Sequence, residues 1–211
     1  MADIRQSTTA KDDFNRADED PLSGGGNWAQ TDSGVFTPMV IKSNAATHQS
    51  GGPSSMSHWT PTTYDGDAAE AWGARTGGGA GGIAWGIGLA RDVGGSNAMD
   101  GYRFRDEDGS TSLKRFLNGS DSTVLDTGTG TSGADGDLLL IRRNGNDVEG
   151  WFSSDDGANW TLKVSATDTT YTTGFYLALS IRDNSASQLL GWDYFGGGPA
   201  KPFIPQIYRR R

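Results

Sequence analysis

Asp12-Asp13-Phe14-Asn15-Arg16-Ala17-Asp18, followed by Pro21-Leu22 and Gly25-Gly26-Asn27-Trp28, stands near the start of a chain of 211 residues. Near its end stands an echo, Gly191-Trp192-Asp193-Tyr194-Phe195 and then Gly196-Gly197-Gly198. Two short aromatic segments, each edged by turn formers, predict a sheet whose first and last strands lie side by side. Phe14 and Phe195 then close one sandwich, and both chain ends leave from the same side.

The segments between them carry the period of two expected of half-buried strands. In Ile83-Ala84-Trp85-Gly86-Ile87-Gly88-Leu89-Ala90 the large residues share one face. Tyr102-Arg103-Phe104-Arg105 alternates as well. Phe175, Leu177, Leu179 and Ile181 point one way along their segment, and Leu138 to Ile141 reads as a run buried on both sides. Asp108-Gly109-Ser110, Asn118-Gly119-Ser120, Asn144-Gly145-Asn146 and Asp156-Gly157 separate these runs, and Asn-Gly and Asp-Gly are strong hairpin signals. Ala68 to Ala74 admits a helical turn, which its glycine neighbours weaken. Ser153-Ser154-Asp155-Asp156-Gly157-Ala158-Asn159-Trp160 matches an Asp-box, Ser-x-Asp-x-Gly-x-x-Trp. Its carboxylate is expected to accept turn amides, its Gly to take a positive φ and its Trp to fold back over the hairpin. That is a structural role.

Composition agrees with an all-β fold. The chain has 32 Gly, 34% hydrophobic residues and 21% charged residues, with 7 Trp, 8 Phe and 6 Tyr. Glycine at this density suits tight turns and penalises helices, and the aromatics argue against disorder. The formal charge of −8 repels nucleic acid. Cysteine is absent, which fits a reducing compartment. The first residues lack the apolar core of a signal peptide, and no run reaches the roughly 18 apolar residues of a membrane span.

The opener and the strand phrases that follow it resemble concanavalin A-like (LamG-like) jelly-roll domains, which are common in bacteriophage structural proteins. The supporting phrases are Gly101-Tyr102-Arg103-Phe104 before Asp108-Gly109, Gly136-Asp137-Leu138-Leu139-Leu140-Ile141, Val148-Glu149-Gly150-Trp151-Phe152, Tyr171-Thr172-Thr173-Gly174 and Trp192-Asp193-Tyr194-Phe195. The resemblance spans about residues 12–197. It implies a two-sheet antiparallel jelly-roll sandwich and leaves function open, because relatives bind sugars, cleave sugars or decorate particles. The expected organisation is an N-terminal arm (1–11), the sandwich (12–198) and a C-terminal arm (199–211).

Catalysis is not expected. Jelly-roll glucanases carry Glu-x-Asp-x-x-Glu, which sets paired carboxylates on one strand. This chain has four glutamates, Glu19, Glu70, Glu107 and Glu149, and no such triplet. His48 and His58 read as surface-loop residues. No cofactor is expected. The cluster Asp12, Asp13, Asp18, Glu19 and Asp20 leaves a Ca²⁺ site open beside the alternative of solvated turn carboxylates.

Two groups of residues remain as candidates for binding. Arg103, Arg105, Glu149, Trp151, Tyr176 and Arg182 lie opposite the core positions of their strands and are expected to form a polar-aromatic face for a glycan or a protein. In the C-terminal arm, Pro202, Phe203, Ile204, Pro205, Ile207, Tyr208, Arg209, Arg210 and Arg211 combine an extended proline-rich backbone with apolar and basic side chains, which reads as a docking arm. The leading expectation is therefore a non-enzymatic phage virion protein, a capsid decoration or tail-associated jelly roll. It would sit in the virion after assembly in the host cytoplasm, with capsid or tail subunits as partners and homo-oligomers open. The alternative is a lectin-like module for host or surface glycans. A glycoside hydrolase is least favoured, and neither a membrane nor a nucleic acid is an expected partner.

Overall fold

A computed structural model describes residues 9–31, 34, 36–49, 54–64, 68–77, 83–93, 99–107, 109–131, 133–183 and 191–200. Fifteen strands run in chain order: β1 (Ala10–Asp12), β2 (Trp28–Gln30), β3 (Met39–Lys42), β4 (Ala45–His48), β5 (Ser54–Trp59), β6 (Ala68–Thr76), β7 (Ile83–Arg91), β8 (Asp100–Glu107), β9 (Ser110–Leu117), β10 (Ser120–Thr129), β11 (Leu138–Asn144), β12 (Asp147–Ser153), β13 (Thr161–Thr167), β14 (Tyr176–Asp183) and β15 (Gly191–Pro199). They form two antiparallel sheets. One is ordered β13-β12-β11-β6-β15-β4-β3, with β1 also paired to β15. The other is ordered β10-β9-β8-β7-β14-β5-β2. The all-β jelly-roll sandwich is as expected. Ala68 to Ala74, open to a helical reading, lies within β6.

The first and last strands pair as predicted. Asp12 pairs with Phe195 and Ala10 with Gly197. Asp12 fastens the entry segment: its carboxylate accepts the indole N–H of Trp28 at 2.8 Å, the Phe14 amide at 2.8 Å and an Arg16 N–H at 2.6 Å. Phe14 is fully buried against Trp28, and the Trp28 ring in turn packs edge-on to Phe195 at 4.8 Å. The strands overrun the expected domain limits. Ala10 and Lys11, assigned to the N-terminal arm, and Pro199, assigned to the C-terminal arm, are strand residues.

Alternation places Trp85, Ile87, Leu89, Tyr102, Phe104, Leu177, Leu179 and Ile181 between the sheets, and Leu138 to Ile141 is buried throughout. One buried polar cluster ties the sheets together. Arg75 of β6 donates to Asp106 of β8 at 2.6 Å and to Asp137 at 2.5 Å, with its guanidinium 5.0 Å from the Trp85 ring. Both histidines correct the expectation of surface loops. His48 on β4 and His58 on β5 are buried, and His58 Nδ1 lies 3.0 Å from Thr31 Oγ1. Their Ser/Thr/Gly-rich surroundings resembled a loop, yet Ser55 and Ser57 are buried strand residues.

Candidate functional site

A pronounced hollow lies on the outer face of the seven-stranded sheet. It follows from the composition of β7. That strand's core-facing positions are large, whereas its outward positions are Ala84, Gly86, Gly88 and Ala90. The neighbouring strands carry long side chains in register with this low floor. Arg105, Gly86 and Ser180 form one cross-strand row, Glu107, Ala84 and Arg182 a second, and Arg103, Gly88 and Ala178 a third. A cleft of ≈ 330 Å³ results. Gly86 is needed for its shape: a Cβ there would stand 2.3 Å from Ser180 Oγ and 2.9 Å from Arg103 Cδ.

Phe36 and Phe116 wall the cleft and meet edge-on at 6.3 Å. Thr37 bridges to Ser55 and so holds the Phe36 segment against the sheet. Arg103 lies against both rings, its guanidinium carbon 4.6 Å from the Phe116 centroid and 6.0 Å from that of Phe36. Glu107 pairs with Arg105 and, at 3.1 Å, with Arg182. Arg103 and Arg105 are buried, whereas the Arg182 side chain is 41% exposed. The described lining residues carry three guanidiniums and no carboxylate, on a chain whose formal charge is −8.

The six residues expected on one face fall on two. Arg103, Arg105 and Arg182 line the cleft. Tyr176 shares their sheet but packs to one side against His58, ring to ring at 5.1 Å. Glu149 and Trp151 are on β12 in the other sheet, where the Trp151 indole donates to Glu149 at 2.9 Å. Trp151 there sits in register with Leu140, and Leu140 with Trp72, whose ring stacks on Tyr194 at 5.3 Å. Alternation tells which residues point outward but not which sheet a strand joins, so it merged two separate faces. It also missed Phe36, Phe116, Gly86 and Ser180. The all-small outward side of β7 was a usable signal for the floor, whereas Phe36 comes from a loop with no periodicity. The docking-arm residues from Pro202 to Arg211 lie outside the described residues.

The acidic cluster is engaged by protein donors. Asp18 accepts from Lys42 and the Ser43 amide, each at 3.1 Å, and Asp20 from Gln49 at 2.8 Å. Glu19 accepts the amides of Ser23 and Gly24 as well as Arg16. Burial pushes the Glu19 carboxyl up, but those amides and Arg16 outweigh it and hold it below the usual range. No group of three or more His, Asp or Glu side chains able to hold a metal occurs among the described residues. As placed, these carboxylates are turned to protein N–H and cationic donors rather than gathered about one point.

No family model and no curated protein sequence matches the chain. Solved structures do match it in fold. The Ca²⁺/Man-bound VIP36 exoplasmic/lumenal domain aligns with 89% of this chain and 91% of its own, at a TM-score of 0.61 and 14% identity. A legume lectin-like domain from Entamoeba histolytica aligns over 87% and 96%, at 0.60 and 16%. The carbohydrate-binding module CBM66 from Bacillus subtilis aligns over 82% and 92%, at 0.53 and 14%. The concanavalin A-like part of the expected resemblance thus holds at the level of fold. The phage virion reading is overturned: these fold relatives are lectin-like and carbohydrate-binding domains, and they favour the lectin-like alternative.

Proposed function

We propose that the protein is a non-catalytic carbohydrate-binding module that takes a saccharide into the cleft of the seven-stranded sheet. The observation that carries this reading is the cleft itself. Its Phe36 and Phe116 walls, the Ser180 hydroxyl and the arginine forks set low over Gly86 offer a sugar apolar surface and hydrogen-bonding groups together. Pockets of this size, with few polar groups set in apolar walls, are usual for small ligands. The lectin-like fold relatives support the class of ligand. The chemistry of the cleft supports binding without turnover. Glu107, just outside the lining, is paired with two arginines, and no carboxylate lines the cleft among the described residues to form an acid–nucleophile pair.

A glycan array probed with the wild-type protein and two variants tests this. Ser54→Trp places a large ring at the cleft edge from a partly exposed position. Trp151→Ala alters the other sheet. Retained binding in Trp151→Ala with at least about tenfold loss in Ser54→Trp is expected, since a plugged site forfeits its contacts. The opposite pattern refutes the cleft assignment, and wild-type protein that binds no glycan refutes the function.

A further inference from the structure

The charge pattern of the cleft goes further than its shape. Resting on the carbohydrate-binding reading, we infer that the ligand is an acidic saccharide whose carboxylate, of the uronic or sialic acid kind, is taken by the arginines that flank Gly86. Arg105 stands directly across the strands from Gly86, and Arg103 leans over the same glycine. Arg182 is one row away at the open rim.

Three features make these guanidiniums a receptor for a planar anion. Arg103 is fixed by two aromatic rings, so its donors are aimed before a ligand arrives. Glu107 touches Arg105 and Arg182 together, which fixes their separation, and a guanidinium carries five N–H donors. A guanidinium fork matches a carboxylate in bidentate geometry, and such charge-assisted bonds are about twice as strong as neutral ones. The floor completes the fit. Gly86 lets the Ser180 hydroxyl and the Arg103 stem lie low across the strand, because a side chain there would meet both, and Ser180 Oγ stands beside the Arg103 stem for a sugar hydroxyl. The surrounding chain is acidic, with a formal charge of −8. An acidic polymer is therefore repelled by most of the surface and drawn to this cleft, which favours defined seating over loose adhesion.

Titration calorimetry with three probes tests the inference: trigalacturonate, its methyl ester and neutral galactotriose. Arg182→Gln is the informative variant, because that side chain is exposed enough to be replaced without disturbing the core. Trigalacturonate is expected to bind at least about tenfold more tightly than its methyl ester, to weaken in high salt, and to lose about three- to tenfold in Arg182→Gln. Arg103→Lys, which keeps the charge and loses the fork, is expected to weaken it as well. Equal binding of the acid, the ester and the neutral trisaccharide would overturn the acidic ligand while leaving carbohydrate binding intact. Arg182→Gln and Arg103→Lys proteins that both fold and both bind trigalacturonate like wild type would overturn the arginine site. No binding of any saccharide, here or on the array, would overturn both readings.

Discussion

His58 shows how a single side chain reports the state of the sheet that carries the cleft. It sits on β5 between Thr31 and the Tyr176 ring, shielded from solvent, and burial pushes its pKa from 6.5 down to about 4. In the fold it is neutral at pH 6, whereas the unfolded chain begins to protonate it below about 6.5. The unfolded state therefore binds more protons between these values. Stability should fall as pH drops from about 6.5 towards 4, by up to about 3 kcal/mol from this residue. The carboxylates held low, such as Glu19, act in the same direction but chiefly below the usual carboxylate range. Urea denaturation at a series of pH values separates them. His58→Gln is expected to flatten the profile between pH 6.5 and 4.5 and leave the steeper acid limb. An unchanged slope would show that other groups carry it. The same residue illustrates what local sequence hides. Its serine and threonine neighbours read as loop, and only the pairing with Ala178 and Ala29 makes it a sheet residue.

At the scale of an element, the β12–β13 hairpin was the most legible part of the chain, because the bonds that shape its turn are local. The Asp155 carboxylate accepts the Asn159 amide at 2.8 Å and its side-chain amide at 2.6 Å, as well as the Ser153 hydroxyl at 2.8 Å. Those bonds hold its carboxyl below the usual range. Gly157 takes φ 82°, which a side chain would resist. Trp160 is buried in the main core, so the turn is anchored from above as well as within. Asp155→Ala should lower the melting temperature modestly, whereas Trp160→Ala should cost about 3–5 kcal/mol. Thermal unfolding of both variants checks the ranking. A larger loss for Asp155→Ala would mean that the turn, not the ring, secures the hairpin. The β7 strand makes a useful contrast. Its inward face was legible from Trp85, Ile87 and Leu89, but the meaning of its small outward face depends on Arg103, Arg105 and Arg182, which are distant in sequence and brought into register by β8 and β14.

For the whole molecule, the opening stretch and its echo were readable as neighbours because Phe14, Trp28, Trp192 and Phe195 are too large and apolar to be left in solvent. The order of the intervening strands was not readable. Alternation repeats identically whichever sheet a strand joins, so Trp151 and Arg103 looked equivalent until the topology parted them. The closure also makes a prediction about cooperativity. The first strand completes the sheet only beside the last, and Phe14 holds that junction, fully buried at a φ of 51° that a non-glycine residue rarely adopts. Removing its ring opens a cavity beside Trp28 and Phe195, at a cost of about 3–5 kcal/mol. Because both sheets share one continuous core through these aromatics, the loss should reach the whole sandwich. Phe14→Ala is therefore expected to lower the urea midpoint with the slope unchanged, and tryptophan fluorescence and far-UV circular dichroism should still report one transition. If fluorescence moved ahead of the dichroism, the entry segment would be opening by itself and the closure would be a local feature. Coincident transitions at a lower midpoint would show that the first and last strands fasten the same cooperative unit that carries the cleft.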